Sequence, residues 1–154
     1  ADPEAVSAEV DRVLDRLVAP APDARLVVVS SLAEGADRIV AARVLTRPGA
    51  RLEVVLPLGA DDYATDFAGP DSRREFADLL MAATQVVVVP ADDRDPSREA
   101  AYARAGTAML HASDVLLALW DGQDARGRGG TGQVVAEARA LGLPVEIVTV
   151  ERAA

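Results

Sequence analysis

The first candidate site is the segment SSLAEGAD, which follows a run of valines and begins at Ser30. If that run is a strand, Ser30 and Ser31 present hydroxyls and backbone amides at its end. Gly35 stands where a helix would begin, and the free N–H groups and dipole of a helix start favour an anionic ligand. Glu34 and Asp37 could then bind the hydroxyls of a ribose. Ordinary capping at a helix start would explain the same residues, and both interpretations remain open.

The second candidate site is the segment ARGRGGTG, which covers residues 125–132. Gly129, Gly130 and Thr131 are three consecutive small residues that would allow close backbone approach at a helix N-terminus. Arg128 adds a guanidinium, whose planar set of donors suits a phosphate. A flexible surface loop is the alternative, but glycines at a helix start beside an arginine favour an anion site.

Residues near other strand ends add to the candidate ligand site. Tyr63 or Phe67 could stack on a base; alternatively, Phe67 lies in the core and Tyr63 covers it. Trp120 fits the core at the end of another strand, and Asp121 would then face the ligand. The single histidine, His111, lies on a predicted helix at the far end of a strand, so we expect a structural role for it. With one His and no Cys, no metal site is expected.

An alternation of predicted strands and helices positions these segments. The strands are continuous apolar runs, which are typical of a parallel sheet covered on both faces, and ligands of such sheets bind beyond the carboxyl ends of the strands. We therefore predict one α/β domain over residues 1–154, with a mostly parallel sheet of about five strands between two helical layers. The predicted strands are 26–29, 52–56, 85–89, 115–120 and 145–150; the helices are 5–18, 35–45, 72–82, 97–112 and 131–141; residues 59–70 form a loop.

Composition excludes several classes of function. The 154-residue chain has a formal net charge of −9, which argues against a nucleic-acid partner because such partners need a basic surface. It contains no cysteine and no lysine, so a thiolate metal site, a Schiff-base lysine and a P-loop lysine are excluded. No apolar run approaches the roughly 20 residues of a membrane span, and no secretory signal is visible. We expect a cytoplasmic protein without a membrane partner.

The two candidate segments, together with VVLPL and SDVLLALWDG, resemble the SLOG superfamily, named after the Smf/DprA proteins and the LOG phosphoribohydrolases. The likeness is greatest to small bacterial SLOG proteins related to the N-terminal domains of TRPM channels, and it runs from about Leu26 to Val150. It implies a Rossmann-like, three-layer α/β/α fold that binds a nucleotide or an NAD- or ADP-ribose-derived molecule and needs no further cofactor. By position, SSLAEGAD matches the family's ligand loop and residues 129–131 match its phosphate loop.

Two departures from the family pattern bear on activity and fold. LOG hydrolases carry a catalytic Glu where this sequence has Val134, and Glu137 lies about one helical turn further on. We therefore expect ligand binding or sensing; hydrolysis of nucleoside 5′-monophosphates through Glu34 or Glu137 is the alternative, and a degenerate interaction module is the second alternative. Family members also open with one more strand than this sequence shows, so we expect a truncated chain whose sheet has a gap or an altered edge. A homodimer is left open beside a monomer.

Overall fold

A computed structural model describes residues 2–120 and 130–149, and over these residues the chain is an α/β protein of six helices and five strands. Two of the helices begin with ordinary side-chain caps: Asp2 accepts from the Glu4 amide at 3.0 Å, and Ser97 accepts from the Ala100 amide at 3.1 Å. In chain order the elements are α1 (Pro3–Val18), β1 (Val27–Ser30), α2 (Ala36–Leu45), β2 (Arg51–Leu56), α3 (Ala60–Ala64), α4 (Pro70–Ala82), β3 (Gln85–Val88), α5 (Arg98–His111), β4 (Leu116–Trp120), α6 (Thr131–Ala140) and β5 (Val145–Thr149).

The strands pair in parallel, but they form two sheets where one sheet of about five strands was predicted. The first sheet has the order β1-β2-β3, and its register sets Val54 beside Ser30 and Val86. The second sheet pairs β4 with β5. Within the described residues no strand of one sheet hydrogen-bonds to a strand of the other. The α/β class and the parallel pairing are confirmed, whereas one hydrogen-bonded sheet of about five strands is not what the described residues form.

Helix α1 packs against both sheets and joins them through one apolar cluster. The spacing of Val10, Val13 and Leu14 puts these side chains on one helical face, and all three are buried. Burial of such a face supplies most of the stability of a helix in a protein. The strand residues in this cluster are Val28 of β1, Leu117 and Leu119 of β4, and Val148 of β5.

Helix α3 lies inside the segment predicted to be a loop, and tertiary contacts explain it. The Arg98 guanidinium on α5 donates to Asp62 Oδ1 at 2.8 Å and to Asp66 Oδ1 at 2.9 Å. The Tyr63 ring packs between Phe67 and Phe76, with ring centroids 4.9 and 5.6 Å away. Because Arg98 and Phe76 come from other segments, they stabilise five residues of helix that have no clear local signal in the sequence.

None of the described helices is both long enough and apolar enough to cross a membrane.

Candidate functional site

The loop after β1 has an unusual backbone that its neighbours impose. Leu32 is fully buried and has a left-handed φ of +56°, which is rare for a bulky side chain and costs free energy. Ser30 Oγ accepts from the Leu32 amide at 3.0 Å, and the Arg38 Nε donates to the Leu32 carbonyl at 2.9 Å. The loop is therefore held in one shape at the carboxyl end of a parallel strand, where ligands of such sheets bind.

Gly35 ends this loop and begins α2. Its φ of +89° and ψ of −118° suit only glycine, and no side chain caps the helix start. A Cβ built at this position would meet nothing within 4 Å, so the requirement for glycine is conformational and not steric. The first amides of α2 are consequently left without a side-chain acceptor.

The two predicted serines serve the fold of the loop. Both side chains are buried. While Ser30 holds the Leu32 amide, Ser31 Oγ donates to the Val55 carbonyl of β2 at 2.7 Å. The expectation that their hydroxyls are presented to a ligand does not fit this arrangement, because each hydroxyl already has a partner inside the protein.

Glu34 connects the loop to the start of α4. Its Oε2 accepts from Ser72 Oγ at 2.5 Å and from the Ala68 amide at 3.2 Å. The Ser72 hydrogen bond, followed by the Ala68 amide, lowers the pKa of the Glu34 carboxyl. Glu34 is thus an ionised, exposed carboxylate that anchors the loop.

Asp37 has the opposite electrostatic environment. Burial raises the pKa of its carboxyl, against smaller opposing contributions from the Ala33 amide and from Arg38. The Ala33 amide donates to Asp37 Oδ2 at 3.3 Å. Two carboxyls three residues apart therefore have pKa values shifted in opposite directions.

Arg38 is the residue that the sequence reasoning missed. It is 4% exposed, and its Nη1 donates to the Ser72 carbonyl and hydroxyl at 2.9 Å each and to Glu75 Oε1 at 3.3 Å. Its Cζ lies 4.4 Å from the centroid of the Phe67 ring, a cation–π geometry. The sequence did contain an indication that Arg38 faces the core, because helical spacing puts it on the same face of α2 as the apolar residue Ala41.

Tyr63 lies in the core, so the expectation that its ring flanks a base is wrong for this structure. The side chain is 1% exposed, and a ring enclosed by other aromatic rings has no free face for stacking. Burial raises the pKa of its hydroxyl. Neither the Tyr63 hydroxyl nor Arg38 Nη2 has a hydrogen-bond partner within the described residues. Buried polar atoms of this kind are uncommon in native proteins and call for an explanation.

The second predicted segment is described only in part. Gly130 precedes α6, which begins at Thr131 without a side-chain cap. Asp121, Arg128 and Gly129 lie outside the described residues, so their predicted roles stay predictions.

Helix α5 lies between the two predicted segments. Ser31 Oγ is 3.5 Å from Met109 Sδ, and a Cβ built at Gly106 would lie 3.5 Å from Val134 Cγ2 on α6. Gly106 and Met109 are neighbours on one helical face because they are three residues apart. The loop after β1 and the first turns of α6 therefore contact the same stretch of α5.

Glu137, the other carboxylate considered for hydrolysis, is paired. Thr107 Oγ1 of α5 donates to Glu137 Oε1 at 2.6 Å. This bond holds α6 against α5 one turn beyond the Gly106 contact.

In comparisons with known proteins, no protein-family model matches the sequence and no curated protein matches it.

Proposed function

We propose that this chain binds a nucleotide or an NAD- or ADP-ribose-derived small molecule over the loop that follows β1. The observation that carries the proposal is the strained, buried backbone at Leu32, followed by the glycine-only conformation of Gly35 at an uncapped helix start. Strain of this kind persists where the surrounding structure over-determines it, and it clusters at ligand sites. Four side chains hold this backbone in place: Ser30, Glu34, Asp37 and Arg38.

The roles of the residues follow from their contacts. The side chains around the loop act as supports, and the amides of Leu32 and Ala33 are taken by Ser30 and Asp37. The ligand is bound by the main-chain amides of Glu34 and Gly35 and by those at the start of α2. The phosphate binds at the start of α6, where Gly130 and Thr131 act together with Arg128 and Gly129. The contacts of Ser31 and Val134 with one stretch of α5 support a ligand that spans both segments.

We also propose that the two sheets belong to one Rossmann-like layer of an α/β/α fold, as the resemblance to SLOG proteins implies. The packing of α1 against Val28 of β1 and Leu117 of β4 supports a common layer.

Calorimetric titration with AMP, ADP-ribose, cyclic ADP-ribose and NAD tests the proposal, with Gly35→Ala as the key variant. Gly142→Ala is the matched control, because Gly142 also has a left-handed φ of +76° and its Cβ would also meet nothing within 4 Å. Both variants should lose about 1–3 kcal/mol of stability from backbone strain. Only Gly35→Ala should weaken binding, by about tenfold or more, which is about 1.4 kcal/mol.

Two results would overturn this proposal. One is that the unaltered protein binds none of the four compounds. The other is that Gly142→Ala weakens binding as much as Gly35→Ala does, since the loss would then reflect general destabilisation.

A second candidate, hydrolysis of the N-glycosidic bond of nucleoside 5′-monophosphates, is favoured by one observation. The pKa of Glu34 is lowered and that of Asp37 is raised, and carboxyls whose environments separate their pKa values are typical of acid–base pairs in glycosidic chemistry. Incubation with AMP would then release adenine, and Glu34→Gln would abolish the release. If AMP stays intact under conditions where it binds, the chain binds without hydrolysis.

A further inference from the structure

Strand β3 carries three of the six large apolar side chains that are exposed in residues 2–120 and 130–149. Val86, Val87 and Val88 are 44%, 43% and 46% exposed, and Met81 at the end of α4 is 87% exposed. These four are among only six large apolar side chains that are exposed in that part of the chain; the others are Val27 and Leu141. Strand β3 pairs with β2 on one side, and no described strand pairs with its other side.

The exposure of these valines restricts what can cover them. Successive side chains of a strand point to opposite faces of the sheet, so Val87 lies on one face and Val86 and Val88 lie on the other. A helix or a flat surface that docks on one face leaves the other face in water. A strand that pairs with the edge of β3 places side chains beside the valines on both faces. To cover both faces, that strand must be apolar at consecutive positions.

We propose that a second copy of this chain adds its own β3 to this edge. The sequence Gln85–Val88, followed by Val89, is itself a run of consecutive apolar residues, and it therefore meets the requirement that the edge sets. A two-fold axis perpendicular to the sheet makes the pairing antiparallel, with Val87 opposite Val87 of the second copy and Val86 opposite Val88 of the second copy. Such an interface is self-complementary, as in most homodimers, and it joins the two three-stranded sheets into one.

The charges around β3 fit this pairing. Residues 83–91 contain no charged side chain, and Pro90 lies beyond the end of β3, whereas edge strands of monomeric proteins are commonly protected by charges, prolines or bulges within the strand. Asp92 and Asp93 follow directly. Antiparallel pairing sends the acidic pairs of the two copies to opposite ends of the shared ladder, so the net charge of −9 causes little repulsion at the centre of the interface.

Cysteine cross-linking tests the pairing directly, because the chain contains no cysteine of its own. Directly opposite residues of antiparallel strands have Cα atoms about 4.5–5.5 Å apart, within the range that a disulfide bridges. Val87→Cys should therefore form a covalent dimer under mild oxidation. Leu141→Cys, at an exposed apolar position outside the sheets, is the matched control and should stay monomeric. Equal cross-linking of the two variants would overturn the proposal.

Sedimentation velocity of the full chain from micromolar to near-millimolar concentration gives the second measurement. The unaltered protein should show a concentration-dependent dimer. Val87→Lys should be monomeric throughout with an unchanged circular dichroism spectrum, and Leu141→Lys should dimerise as the unaltered protein does. A protein that stays monomeric at all concentrations, or a dimer that Val87→Lys leaves intact, would overturn the proposal. If Val87→Lys does not fold, the comparison of cross-linking between Val87→Cys and Leu141→Cys decides whether β3 pairs with β3.

Discussion

At the scale of residues, Arg38 is the support on which the loop after β1 depends most. Arg38→Met keeps an unbranched side chain over Phe67 and removes the bonds to Leu32, Ser72 and Glu75. Hydrogen bonds of charged groups contribute about 1.5–3 kcal/mol each, so we expect the free energy of unfolding in urea to fall by about 2 kcal/mol or more. Arg12→Met is the control.

The control removes an arginine that is exposed and pairs with Glu9 within α1. Pairs of this kind contribute at most about 1 kcal/mol. Equal losses of stability for the two variants would mean that Arg38 does not hold the loop.

The raised pKa of Asp37 predicts that the free energy of unfolding depends on pH. Because its pKa is raised by burial, the folded protein binds a proton more readily than the unfolded chain between the two pKa values. The free energy of unfolding therefore falls as pH rises through that window. Asp37→Asn removes this titration, and its Oδ1 can still accept from the Ala33 amide. Relative to the unaltered protein, the variant should become more stable as pH rises from about 3 to about 7.

Glu34→Gln should show the opposite trend, because the lowered pKa of Glu34 adds stability above its ordinary range that is lost on acidification. Urea unfolding at a series of pH values measures both variants. Trends of the same sign would contradict the opposed environments of the two carboxyls.

The sequence indicated where the loop lies but not what its side chains do. Ser30, Ser31, Glu34 and Asp37 were predicted as ligand contacts because they are polar and follow a strand. In the structure all four side chains hydrogen-bond within the protein. Ser31 and Glu34 bond to Val55 and Ser72, which are distant in sequence, so spacing alone could not reveal these partners.

At the scale of elements, apolar patterns predicted all five strands and the five helices other than α3 to within about two residues. They could not predict α3, whose five residues depend on Arg98 from another helix, or the division into two sheets, which depends on which strand edges meet. Boundaries shifted where capping decided them: α1 begins at Pro3, after the Asp2 cap, and not at Ala5.

Helix α1 makes the two sheets one cooperative unit, and unfolding can test this. Trp120 is the only tryptophan and lies on β4, so its fluorescence reports the two-stranded sheet, while far-ultraviolet circular dichroism reports all helices. Both signals should give one urea midpoint. Leu14→Ala, which truncates a buried α1 side chain, should lower the free energy of unfolding by about 2–5 kcal/mol and should therefore lower both midpoints together. Separate midpoints would show that the sheets unfold independently.

At the scale of the whole molecule, the strained loop and the exposed valines lie at opposite edges of the first sheet. The strained loop follows β1 at one edge strand, and the apolar valines occupy β3 at the other edge strand, with β2 between them. A dimer through β3 consequently leaves the loop after β1 accessible. Ligand binding and self-association should be independent, and each can fail without the other.

A titration of the ¹⁵N-labelled protein with ADP-ribose, followed by amide chemical shifts, tests whether the loop after β1 and the start of α6 bind a nucleotide-type ligand. We predict saturable shifts at the amides of residues 31–37 and of Gly130 and Thr131, with the amides of β3 unchanged. Spectra that stay unchanged at saturating ADP-ribose, or shifts confined to other surfaces such as α1, would contradict this binding.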